Sequence, residues 1–326
     1  MCHLRLTGTL RKEKIVLNYY KEDAETIKNG EKLMKDFSFW VEYEGNCEGS
    51  GRSEKIWLIN PDTRQVGLFK YKKDELTTDH VSECLAYQLA NIIGIPCAKF
   101  ELGTYMGREG SMSYNIIQNP NELLIEGINY INNAYPKYDP EKFRDMGSGE
   151  VYSIQMIEKA LEKTFLFKEF LKIPVFDYLI GNTDRHQSNW AVIWDGKKLR
   201  ISPLYDNSSS LCAYISEKQV AGYLGNDLNR WSSLVERKSR SIIRRTVEEQ
   251  KQPTHLEMLK YIKNNYYSET EGLVEKIIAV VTEDRISDIL NVYVENELSE
   301  KKKIIIKKFL LHKVSEMKNV YFGEEE

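Results

Sequence analysis

The stretch Gly181-Asn-Thr-Asp-Arg-His-Gln-Ser-Asn189 carries most of the chain's chemical information. An apolar helix end, Phe176 to Ile180, runs into this polar loop, and a strand from Trp190 to Trp194 comes after it. Asp195-Gly196 is a strong hairpin signal, which returns the chain as Leu199 to Ile201 and leads on to Asp206. A hairpin brings its open ends together, so Asn189 and Asp206 are expected side by side. One amide oxygen and one carboxylate are hard donors suited to Mg²⁺ on nucleotide phosphates. A second carboxylate, Asp184, is placed to take the proton of an incoming hydroxyl. Each of these residues alone is an ordinary turn former. Their gathering at one end of one hairpin is the informative feature, because unpaired buried carboxylates are costly without a metal or donors.

Such a site needs a scaffold, and the front of the chain offers one. Phe37 to Tyr43 alternates apolar with polar residues like a half-buried strand, and a glycine-rich stretch, Gly45 to Gly51, comes next. Two further strands, Lys55 to Asn60 and Gln65 to Tyr71, join at Pro61-Asp62. Beyond them, Val81, Leu85, Leu89, Ile92 and Ile93 recur at helical spacing, with Thr78 or Asp79 to cap the start and Gly94 and Pro96 to end it. Lys70 closes the third strand; Glu83 lies off the apolar stripe of the helix and would have to face the strands. Ala98 to Tyr105 and Ser111 to Gln118 pair across a Gly107–Gly110 turn, Asn119 to Glu150 reads as irregular with short helices, and most of the chain from Val151 onward is helical. The fold class is therefore α+β in two lobes: a lead-in over 1–35 (Lys12 to Lys35 being a helix or partly ordered), a small β-rich N-lobe over 36–118 and a larger, mainly helical C-lobe over 119–326.

Joined to Pro203-Leu-Tyr-Asp206-Asn-Ser-Ser-Ser-Leu211, the Asp184-Arg-His loop resembles the active-site signature of HipA-like serine/threonine protein kinases. The resemblance implies a protein-kinase-like fold, ATP and Mg²⁺ as cofactors, and phosphoryl transfer to a protein hydroxyl. Asp184 then resembles the catalytic base, Asn189 and Asp206 the metal ligands, and Lys70 the lysine on the α- and β-phosphates with Glu83 as its ion-pair partner. The glycine stretch, through Gly49, Ser50, Gly51, Ser53 and Lys55, takes the place of the phosphate-covering loop, although it is neither a Walker A nor a Gly-x-Gly-x-x-Gly motif. In the family this loop can carry a serine whose autophosphorylation switches the enzyme off. Glu48 stands at the corresponding position here, so the acceptor is expected to be Ser50, Ser53 or neither. Family members often act as toxins on an aminoacyl-tRNA synthetase, so the resemblance also implies a protein substrate such as a synthetase or translation factor, and an antitoxin partner.

Composition narrows the alternatives. With 46 Lys+Arg against 49 Asp+Glu the net charge is −3, which argues against a general nucleic-acid or membrane-surface binder. The five cysteines are scattered without a Cys-x-x-Cys pair, as in reduced proteins, and charged sequence comes directly after the N-terminus; a cytoplasmic location is expected. Lys301 to Leu311 has apolar residues round most of its circumference and reads as a helix packed into the large lobe rather than on a membrane. Arg237 to Arg245 reads as a solvated helix face, with a contact for an acidic protein or RNA-bound surface as the alternative. A phosphatidylinositol-type lipid kinase would want a basic headgroup loop after Asp206, but Asn207 to Glu217 holds no Lys or Arg. An inactive nucleotide-binding module is the remaining reading, opposed by the intact Lys70, Asp184, Asn189 and Asp206 set.

Overall fold

The computed structural model describes residues 27–28, 31–32, 34–44, 54–117 and 119–323. The chain divides into two compact units, Met1–Lys35 and Asp36–Glu326. The described part of the first is a hairpin of β1 (Ile27–Lys28) and β2 (Glu31–Lys32). The expected lead-in over Lys12 to Lys35 otherwise falls outside the described residues.

The second unit opens with a six-stranded sheet. Its strands are β3 (Lys35–Asp36), β4 (Val41–Glu42), β5 (Lys55–Ile59), β6 (Val66–Tyr71), β7 (Phe100–Tyr105) and β8 (Arg108–Tyr114), in the order β3-β7-β8-β6-β5-β4. Phe37 to Tyr43 is not the continuous strand its alternation suggests. Residues 38–40 turn, and Phe37 and Trp40, three apart rather than two, are the residues that drop into the core. There they meet edge to face at 5.7 Å and pack with Leu58, Phe69, Tyr105, Met112 and Tyr114. β6 lies between β5 and β8, with Lys70 opposite Lys55 on one side and Ser111 on the other. A side chain on Gly110 would overlap the Lys70 carbonyl, so the neighbouring strand can close on Lys70 only with glycine there.

Helix α1 (Asp79–Ile93) comes after β6 as its periodicity requires. It ends at Gly94, whose φ of 80° lets its N–H turn back to the Ala90 carbonyl at 2.8 Å. The apolar side of α1 joins the large core rather than the aromatic core of the sheet. That large core is built by α2 (Gly127–Ala134), α3 (Ile154–Leu161), α4 (Lys172–Ile180), α5 (Glu217–Leu224), α6 (His255–Val280), α7 (Glu283–Leu290) and α8 (Glu300–Phe322). The fold is thus a small β-rich lobe on a larger helical one.

Two further stretches depart from their sequence reading. Within Asn119 to Glu150, β9 (Leu123–Glu126) adds a strand beside the C-lobe hairpin of β12 (Ala191–Trp194) and β13 (Leu199–Ile201), with Val192 opposite Ile125. The run Leu-Leu-Ile has little periodicity of its own and is ordered by its partner strand. The short strands β10 (Tyr138–Asp139) and β11 (Arg144–Asp145) lie between. Arg237 to Arg245 is irregular after a single wide turn over Ser233–Arg237, not a solvated helix. Ile242 and Ile243 are buried, and the Ser241 hydroxyl accepts the Ile243 N–H at 3.2 Å, a local bond that competes with helix formation. Lys301 to Leu311 does lie in a helix packed into the large lobe, and among the described residues no helix is long and apolar enough to cross a membrane.

Candidate active site

Three structural pieces converge on one cleft. β6 carries Lys70, α1 carries Glu83, and the C-lobe hairpin carries Asn189 before it and Asp206 after it. The Lys70 ammonium lies 3.1 Å from Glu83 Oε1 and 3.0 Å from Asp206 Oδ1. Glu83 is buried, so the helix does turn this carboxylate inward, off its apolar stripe. Its second oxygen accepts the Asn207 N–H at 2.8 Å. Burial by itself would strip Lys70 of its proton, but Glu83 and Asp206 outweigh it and hold the ammonium charged well above its ordinary range. Burial likewise pushes Asp206 up, yet Lys70, by charge and hydrogen bond, brings it below the ordinary carboxylate range. Glu83, dehydrated and beside a second carboxylate, is pushed up by that burial despite Lys70.

Arg185 organises the loop beneath. Its guanidinium is buried and paired with Asp177 on α4, Nη2 to Oδ1 at 2.8 Å. Nη1 donates to the Asn189 carbonyl at 2.8 Å and the Tyr205 carbonyl at 2.7 Å, and Nη2 also donates to Asn207 Oδ1 at 2.7 Å. One side chain therefore pins both open ends of the hairpin, which brings Asn189 and Asp206 to the same place. The Asn189 amide nitrogen donates to the Asp184 carbonyl at 2.8 Å, so the amide group is fixed from its nitrogen end. Asp206 sits at φ 53°, a left-handed conformation that aspartate tolerates and that is held here by the bonds on either side.

Asp184 is exposed at the mouth of this cleft. Partial desolvation raises its carboxyl and the Asp206 charge adds to that, with His186, Arg185 and Lys73 pulling the other way. His186 itself accepts the Ser188 N–H on Nδ1 at 3.2 Å, a brace within the loop. Lys55 lies directly across from Lys70 in the sheet. Burial and the Lys70 charge depress it, while Asp206 and Glu126 support it.

The donors fit a hard divalent cation. Asp206 Oδ2 and Asn189 Oδ1 accept no hydrogen bond among the described residues, and two carboxylates, Glu83 and Asp206, flank Lys70 while Arg185 is engaged by Asp177. Among the described residues no cluster of three His, Cys, Asp or Glu side chains could hold a metal ion by itself. Gly49, Ser50, Gly51 and Ser53 lie outside the described residues. Asp177, Arg185 and Asn207 are the members the sequence reading missed. Asp177 left a trace, a lone carboxylate in the apolar run Ile173 to Ile180.

A sheet lysine paired with a helix glutamate, over a loop and hairpin that present Asp, Asn and Asp, defines a two-lobed kinase-like protein. The model of the HipA-like C-terminal domain matches residues 47–258, and the chain belongs to that family. Among solved structures, the Helicobacter pylori proinflammatory kinase CtkA is similar over 88% of this chain and 97% of its own, with a TM-score of 0.73 at 18% identity. A chain in the structure of the Shewanella oneidensis MR-1 toxin–antitoxin system, HipA and HipB with operator DNA, is similar over 94% of this chain and 70% of its own, with a TM-score of 0.54 at 11% identity. At such identities these likenesses speak for the fold. No curated protein matches the chain.

Proposed function

We propose that the protein is an ATP-dependent kinase that transfers the γ-phosphate to a serine or threonine hydroxyl of a protein. The observation that carries this is the single ammonium of Lys70 bridging Glu83 and Asp206, with Asn189 tied to the Asp184 loop by one bond and to the Asp206 segment through Arg185. Lys70, with Lys55 opposite, supplies positive charge for the triphosphate. Asn189 and Asp206 would hold Mg²⁺, which neutralises phosphate charge as it is transferred. Asp184, exposed and with its carboxyl raised, orients the acceptor hydroxyl and takes its proton. Little covalent work is asked of the protein; positioning and charge do the catalysis.

The missing basic loop after Asp206 favours a protein over a lipid acceptor. A toxin role on a synthetase or translation factor, held in check by a small antitoxin, belongs to the same proposal and is supported by the family membership. The test is thermal melting with and without MgATP for the wild type and Asp206→Ala. A rise in Tm in the wild type that the variant loses is expected; equal rises in both would remove Asp206 from the site.

A further inference from the structure

The Arg237 to Arg245 stretch, irregular rather than helical, contributes a buried hydroxyl to a polar line that reaches the catalytic loop. His255, the first residue of α6, is buried, and its ring lies between two partners: Nε2 is 2.8 Å from the Asn182 carbonyl, and Nδ1 is 2.8 Å from Ser239 Oγ. A carbonyl can only accept, so the proton is on Nε2. Burial drives the ring's pKa down to about 3, so Nδ1 is bare and accepts the Ser239 hydroxyl proton. The serine oxygen in turn accepts from the Lys313 Nζ at 3.1 Å, and the same nitrogen donates to the Val235 carbonyl at 3.0 Å. Each donor and acceptor from α8 to the catalytic loop is thereby fixed in one direction.

The far end of this line is Asn182, which does more than fill space. Its Oδ1 accepts the Asp184 N–H at 3.1 Å, its Nδ2 donates to Asp177 Oδ1 at 3.1 Å, and its own N–H donates to the Asp177 carbonyl at 2.9 Å. The preceding Gly181, at φ 68°, lies against the Phe309 ring of α8, where a Cβ would come within 2.7 Å. The carbonyl of the peptide after Asn182 accepts the His255 Nε2–H, and the same peptide's N–H, on Thr183, donates to the Ser209 carbonyl at 3.1 Å; without His255 the plane is held from one side only, and Asp184 is less firmly placed.

We propose that His255, locked in its Nε2–H form by Ser239 and Lys313, is a positioning residue that fixes the Asn182 carbonyl and through it the Asp184 carboxylate. The inference rests on the kinase reading for its catalytic consequence, but its geometric content stands apart from it. The experiment compares wild type, His255→Leu, His255→Gln and Ser239→Ala, by steady-state phosphotransfer with MgATP and by amide hydrogen exchange over 182–186 in the free protein. A misplaced base commonly costs about 10²-fold. His255→Leu is expected to lose on the order of 10²-fold in kcat with the KM for ATP within about twofold. His255→Gln, whose amide N–H can still reach the Asn182 carbonyl, recovers much of the rate, and Ser239→Ala loses part of it. Exchange at the Asp184 amide accelerates in the same order. Should His255→Leu fail to fold, Ser239→Ala and His255→Gln decide by the same two readouts. Wild-type kcat and unchanged Asp184 protection in folded variants would overturn the proposal, as would losses that track melting temperature alone. A wild type without phosphotransfer refutes the kinase reading instead, and the exchange data still judge the positioning.

Discussion

The two lobes hold their shares of the cleft in different ways. Lys70 rides on a sheet whose core is a small aromatic group around Phe37, Trp40 and Phe69. Glu83, though near Lys70 in sequence, belongs to the other side. Helix α1 buries Val81, Leu85, Leu89 and Ile93 in the continuous helical core. It is also stitched to the segment after Asp206: Ser82 Oγ donates to the Ser210 carbonyl at 3.1 Å, the Thr78 N–H to the Ala213 carbonyl at 3.1 Å, and the Asn207 N–H to Glu83 at 2.8 Å. Glu83 and Asp206 therefore form one acidic face, and Lys70 is brought to it from a sheet whose own aromatic core lies apart. The sheet meets the helix through β7, where Phe100 joins the large core, so the charge pair spans the two cores beside that contact.

This difference can be pushed from the large core first. Arg185→Met leaves the Asp177 carboxylate buried without its cation, and removing one partner of a buried pair costs about 3–5 kcal/mol. Urea unfolding should show that loss. A smaller one would mean that the loop relaxes and that the hairpin ends are not pinned through this side chain. Leu89→Ala opens a cavity under α1, for which about 2–5 kcal/mol is expected. Because α1 carries Glu83, this variant should also weaken the Tm response to MgATP. Met112→Leu in the sheet core conserves volume and should cost less than about 1.5 kcal/mol, with the nucleotide response intact. Equal nucleotide effects from both would erase the contrast between the cores.

A gentler probe uses pH. Burial is the main cause that lowers Lys313 to about 7, with Cys212, Glu316 and Glu236 opposing it; the rings of Tyr178 and Phe309 cover the ammonium at 4.6 and 5.2 Å. Below pH 7 both folded and unfolded chains bind this proton. Between 7 and the ordinary lysine value of 10.5 the folded chain has released it while the unfolded chain keeps it, so this group makes stability rise with pH across that window. Lys313→Met should remove that rise in melts taken from pH 7 to 10. An identical pH dependence in wild type and variant would show that Lys313 stays charged when folded.

Much of this was legible in the sequence because its signals are local. The Asp195-Gly196 turn, the apolar spacing of α1 and its Gly94 stop each speak through adjacent residues, and the hairpin turns the chain back so that Arg185 can tie its two open ends together. What escaped depends on partners far along the chain. Arg185 belongs to the quoted motif, yet its pairing with Asp177 and its bonds to Tyr205 and Asn207 arise only from packing. His255 reaches Asn182 from 73 residues along the chain, with no spacing rule to announce it. The misread strand at Phe37 to Tyr43 teaches the same thing from the other side: alternation was present, but a turn chose Phe37 and Trp40 for the core. β9 likewise took its conformation from the strand it pairs with.

The central claim is that Asp184 and the Lys70–Glu83–Asp206 group together transfer phosphate from ATP. It is tested most directly by the intact mass of the wild-type protein and Asp184→Ala, each before and after incubation with Mg²⁺ and ATP and with a mixed protein acceptor. Added phosphate on the wild type or its acceptor, reduced about 10³-fold or more in the variant, is the expected result. Equal phosphate incorporation by the two proteins would contradict the account.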